Sequence, residues 1–153
     1  MNKTVGVLLF TIFATTSVQA TADERWQSGF GQGILEYWVK NKSNDTFMLT
    51  CDVGSAAADG PGAMISINKK DPPAQSTVTI RTQGKNYQLF FDKSGKLNTD
   101  CHSCADNWVH LWSAIRRGKT MKVTYPHGEA ATFSLQGASK ALPKKACTPQ
   151  FYN

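Results

Sequence analysis

Apolar and polar residues alternate in short runs along most of this chain, and that alternation predicts strands. Residues 46–53 set Phe47, Leu49, Cys51 and Val53 on one face, the two-residue period of a half-buried strand. Residues 34–39, with Tyr37 and Trp38 as bulk, read as a strand before it. The polar stretch 41–45 is the turn between them, a hairpin candidate. Further strands are predicted at 63–68, 77–81, 86–91, 120–125 and 130–135. Turn chemistry separates them: Asp71-Pro72-Pro73, Gln83-Gly84-Lys85, Asp92-Lys93-Ser94-Gly95 and Pro126-His127-Gly128. Residues 21–33, polar with Gly29, Gly31 and Gly33, read as a lead-in or loop, and 54–62 as a loop.

The period changes once. Trp108, Leu111, Trp112 and Ile115 recur at i, i+3, i+4 and i+7, one apolar stripe of a helix. Ser103 and Asp106 resemble a capping box and predict a start near Ser103. Arg116 and Arg117 suit the negative C-terminal end, and Gly118 is a natural residue for closing the helix. Residues 136–142 predict one further helical turn, ended by Pro143. Six or seven strands and one substantial helix make a β-rich domain, mainly an antiparallel sandwich or open barrel, with the amphipathic helix packed on it through its tryptophans.

The first twenty residues differ from the rest. Lys3, an apolar run from Val5 to Ala14, and Val18 and Ala20 at the −3 and −1 positions form a signal peptide cleaved after Ala20. The expected mature chain, residues 21–153, is a single domain in an oxidising compartment, periplasmic or secreted. The short leader with one basic residue suits bacterial export. Thr21 in place of Cys argues against a lipid anchor, and no later stretch is apolar enough for a transmembrane anchor. Residues 1–20 carry Lys3 and no acid, so the mature chain keeps a charge of +5, one below the full chain's +6. The cations are scattered, at Lys69-Lys70, 116–119 and Lys144-Lys145, without the interleaved aromatics of a nucleic-acid surface.

The four cysteines, Cys51, Cys101, Cys104 and Cys147, predict two disulfides in an exported protein. One arrangement pairs Cys101 with Cys104 and Cys51 with Cys147. The other ties Cys51 and Cys147 separately to Cys101 and Cys104. Either pins the C-terminal tail to the body. Cys101-His102-Ser103-Cys104 also admits redox work, or a soft-metal site with His110 as a further ligand. Against redox work, a helix starting at Ser103 leaves Cys101 outside its N-terminus, and no strand–helix–strand unit surrounds it. Against metal, no second ligand pair completes a set.

Other chemistry is sparsely provided. Hydrolase, zinc-protease, phosphate-loop and calcium-loop motifs are missing from the sequence. Acids are three Glu and eight Asp, and the histidines are His102, His110 and His127. His127 reads as a solvated turn residue, and Trp108 and Trp112 as core. Trp26 and Trp38, near the glycine-rich edge, are candidates for touching a partner protein or a sugar. No catalytic residue and no cofactor or resident metal is expected.

Residues 114–125, Ala-Ile-Arg-Arg-Gly-Lys-Thr-Met-Lys-Val-Thr-Tyr, are followed by 131–142, Ala-Thr-Phe-Ser-Leu-Gln-Gly-Ala-Ser-Lys-Ala-Leu. This strand and Ser-Leu-x-Gly segment resembles the end of invasion-associated locus B-like exported bacterial proteins. The resemblance covers about thirty residues. It implies a non-enzymatic periplasmic protein of host interaction or envelope function, and it supplies no catalytic residues. The expectation is a non-catalytic exported binding protein acting on an envelope or host-interaction partner, with an inhibitor or immunity factor as one form. The alternative is a periplasmic thiol oxidoreductase or soft-metal carrier using Cys101, His102 and Cys104.

Overall fold

The computed structural model describes residues 24–54 and 60–153. The expected signal peptide lies outside the described residues. Two antiparallel sheets face each other across one apolar core. The first has the order β1 (Gln27–Gly31), β2 (Ile34–Lys40), β3 (Thr46–Asp52) and β4 (Pro61–Ser66). The second, in sequence order, holds β5 (Thr77–Thr82), β6 (Lys85–Phe91), β7 (Leu97–Asn98), β8 (Thr120–Thr124) and β9 (Ala130–Ser134). Its spatial order is β7-β6-β5-β8-β9. Helix α1 (His102–Arg117) links β7 to β8, and the short α2 (Ala138–Ala141) follows β9. A 3₁₀ turn, Gln150–Tyr152, comes just before the C-terminus.

The expected alternation sets the core. Tyr37, Val39, Phe47, Leu49 and Ile65 face Val78, Ile80, Leu89, Val123 and Phe133, all buried. Phe47 and Phe133 meet across the gap with ring centroids 6.0 Å apart. Alternation in β3 stops at Cys51, because Val53 lies past the strand and is exposed. The lead-in expected at 21–33 contains a strand instead. Gln32 and Gly33 both adopt positive φ, a tight two-residue turn whose twist suits a hairpin, and it pairs β1 with β2. The same device at Gln83-Gly84 joins β5 to β6.

α1 packs on β6. Its Asn107 side chain accepts from the Gln88 backbone N–H at 3.2 Å, covering the part of β6 that the two-residue β7 leaves without a partner strand. Trp112 reaches Tyr37 of the opposite sheet in an edge-to-face contact at 5.4 Å. The indole N–H of Trp108 donates to the Cys147 carbonyl, and that of Trp112 to the Pro143 carbonyl. Arg116 Nε donates to the Leu142 carbonyl. These bonds lay residues 142–147 along the helix and bring Cys147 to Cys51.

Two expectations about α1 change. Cys101, not Ser103, is the N-cap: its Sγ accepts the Cys104 backbone N–H at 3.1 Å, and the helix begins at His102. Gly118 is not left-handed; its backbone is extended, with φ −79°. Glycine is needed there for room. A Cβ would lie 2.5 Å from Leu135 Cδ1 and 2.8 Å from Thr82 Oγ1.

Candidate functional site

Two disulfides form, Cys51–Cys147 across 96 residues and Cys101–Cys104 across three. This is the first of the two pairings left open by the sequence. Both bridges fit an extracellular or periplasmic setting, and no helix among the described residues is long and apolar enough to cross a membrane. The bridges differ in surroundings. Cys51 is 3% exposed, under the strapped tail, whereas Cys101 is half-buried at the helix tip and Cys104 is 6% exposed behind it.

Around Cys101–Cys104 the C-terminal turn adds groups that strand and helix periodicity do not reveal. His102 packs edge-to-face on Phe151 at 5.5 Å, and Phe151 on Tyr152 at 5.3 Å. The Asp106 carboxylate lies 3.3 Å from His102 Nδ1 and accepts the Tyr152 hydroxyl at 2.7 Å. That bond holds the Tyr152 hydroxyl above its ordinary titration range. His110 does not join this group. It is six residues beyond Cys104, about 9 Å along the axis. No cluster of three metal-ligating side chains occurs among the described residues. Cys101 and Cys104 are bonded to each other, so in the bridged state neither sulfur is the thiolate a soft metal takes.

The two candidate tryptophans separate. Trp26 is 5% exposed, its indole N–H donates to the Ser134 carbonyl at 3.1 Å, and it packs on Phe47. A strand preceded by Trp26 explains this: β1 carries it over the end of the core, so Trp26 presents almost no surface to a partner. Trp38 lies half-buried on the outer face of the first sheet. Gly29, two residues along β1 from Trp38's register partner Gln27, leaves the ring space; a Cβ there would come 3.2 Å from the indole.

Trp38 pairs across the strands with Met48, and Met48 with Met64. The three form an apolar row across the outer face of β2, β3 and β4. Met64 is 60% exposed. It stands between two shallow clefts of about 390 and 360 Å³. Ile34, Thr50 and Leu97 help line the first, Pro72 and Phe91 the second. Phe30 and Val53 are also exposed, on β1 and just past β3. The methionines were overlooked in sequence, although the signal existed: Met48 falls between Phe47 and Leu49, so it must face outward.

The YfjT family model matches residues 24–142. That span holds the apolar row and the Cys101–Cys104 pair, and it ends before Cys147 and the C-terminal turn. It gives no support to the resemblance to invasion-associated locus B-like proteins. No curated protein and no solved structure matches the chain.

Proposed function

We propose, from the premise that the chain belongs to the YfjT family, that it is a non-catalytic exported binding protein. It works in the periplasm or outside the cell on a protein partner of the envelope or of host interaction, and an inhibitor or immunity factor is one form of that role. The observation that carries this reading is the row Trp38, Met48 and Met64 on the outer face of a rigid, disulfide-tied sheet. These side chains bind by burying surface; they neither transfer protons nor attack bonds. A large aromatic beside adaptable methionines is a favoured composition for a protein interface. A partly exposed apolar row on a sheet otherwise dressed with Thr46, Thr50 and Glu36 marks such a surface.

Co-isolation from the envelope fraction tests it, using the tagged mature chain and its Trp38→Ala/Met64→Glu variant. The reading expects a protein retained by the first and lost by the second, with unchanged circular dichroism. Central interface anchors are each worth about 2 kcal/mol or more, so the loss is at least about thirtyfold per anchor. An identical set of retained proteins refutes the sheet face as the binding surface.

A further inference from the structure

We infer that Cys101–Cys104 is a thiol–disulfide exchange centre that oxidises a dithiol protein substrate once per bridge, stoichiometrically, distinct from the outer-sheet binding face and in addition to the chain's non-catalytic binding role. Three independent observations converge on it. The bridge spans three residues, so opening it releases little chain, whereas Cys51–Cys147 spans 96 and holds the tail to the core. The fold therefore survives the opening of Cys101–Cys104. Exposure is unequal: Cys101 is reachable at the helix tip, and Cys104 is buried on α1. Attack is thereby directed to one sulfur. Against His102, the residue next to Cys101, lies an exposed apolar ledge, Phe151 at 44% and Tyr152 at 48% exposure, held to α1 by the Tyr152–Asp106 hydrogen bond. A chain segment bringing a cysteine to Cys101 has a surface to rest on.

The exchange balances without a further reagent. A substrate thiolate attacks Cys101 Sγ, the Cys101–Cys104 bond breaks, and Cys104 leaves with the electron pair. The substrate's second thiolate then attacks its own sulfur in the mixed disulfide and releases Cys101. The substrate is oxidised to a disulfide and the Cys101/Cys104 pair is reduced. The two protons lost by the substrate thiols match the two taken up by the cysteines. The second step needs Cys101 to be a good leaving group. As N-cap it has the Cys104 N–H directed at its sulfur, at 3.1 Å, and the positive end of a sixteen-residue helix behind that bond. The titratable groups along its own segment are Asp100, His102 and Asp106, and Tyr152 of the C-terminal turn reaches Asp106. The two aspartates oppose a thiolate, and the helix end favours it.

The test incubates the oxidised mature chain with a synthetic two-cysteine peptide, quenches with acid, and maps alkylated cysteines by mass spectrometry. The inference expects the peptide disulfide to appear in step with free Cys101 and Cys104, while Cys51–Cys147 stays closed. The reduced Cys104→Ala variant, offered the peptide disulfide, stops as a mixed disulfide through Cys101. Cys101 is alkylated with a midpoint below the ordinary thiol value of about 8.5. A bridge that stays closed, one that opens only with Cys51–Cys147, or a Cys101 of ordinary midpoint overturns it. Exchange is read on a synthetic peptide and sheet-face binding by co-isolation, so failure here and failure of the sheet-face reading are separable.

Discussion

Removing the Cys51–Cys147 bridge is expected to destabilise the protein far more than removing Cys101–Cys104. The perturbation is Cys51→Ala/Cys147→Ala, chosen because Cys51 is buried and a hydroxyl there would add a separate penalty. The bridge closes a loop with a sequence separation of 96. In the chain-entropy account a loop of that size restricts the unfolded state by about 4.7 kcal/mol at 25 °C, and measured losses of native bridges run about 2–5 kcal/mol. For the separation of three at Cys101–Cys104 the same account gives about 2 kcal/mol. There the matched variant is Cys101→Ser/Cys104→Ala, which keeps an oxygen acceptor at the N-cap. Urea unfolding of both double variants, followed by circular dichroism, measures the difference. The long-loop variant should show a lower midpoint and a steeper slope, since its unfolded chain exposes more surface. A loss below about 1 kcal/mol with unchanged slope would refute the reasoning, because a native bridge closing a loop this long is expected to contribute several times that.

Two further predictions follow from single atoms. Gly118→Ala should cost about 1–3 kcal/mol in urea unfolding, since its Cβ meets Leu135 and Thr82 below contact distance; a neutral or stabilising result contradicts the close approach. The Tyr125 hydroxyl donates to the Ile65 and Lys70 carbonyls, at 3.2 and 3.0 Å, and Tyr125→Phe should lose about 1–2 kcal/mol at neutral pH. Burial first, then the nearby Asp71 charge, push that hydroxyl well above its ordinary 10.0. A raised folded value means its share of stability is complete below pH 10.0 and is lost as pH rises toward the folded value. The gap between the protein and Tyr125→Phe should therefore narrow at alkaline pH, and a gap that widens is inconsistent with the burial.

The parts of the fold legible in sequence were those set by local periodicity. Phe47, Leu49 and Cys51 announced β3, and the Trp108 to Ile115 stripe announced α1, because alternation and helical spacing record burial directly. What stayed hidden depended on distant partners. β1 was hidden because Gly29 and Gly31 weaken any strand pattern; Gly29 is explained only when the Trp38 ring is seen packed over it. Cys101 as N-cap was hidden because Ser103 has the better capping propensity, while the Cys101–Cys104 bridge holds the sulfur where it can accept. Trp26 looked like an edge residue, but the bond from its backbone N–H to the Gln136 carbonyl folds it onto the core. The Phe151–Tyr152 ledge needed Cys147 to be tied to Cys51 before it had a place beside His102.

The central claim is that the outer face of the first sheet is the working surface, and site-specific photo-crosslinking in the protein's own compartment tests it most directly. A photoreactive residue replaces Met64 or Met48 on that face, and Thr132, exposed on β9 of the second sheet, serves as the control position. The account predicts one shared protein adduct from positions 64 and 48 and none from 132. Adducts from 132 alone, or of equal yield at all three positions, would contradict it.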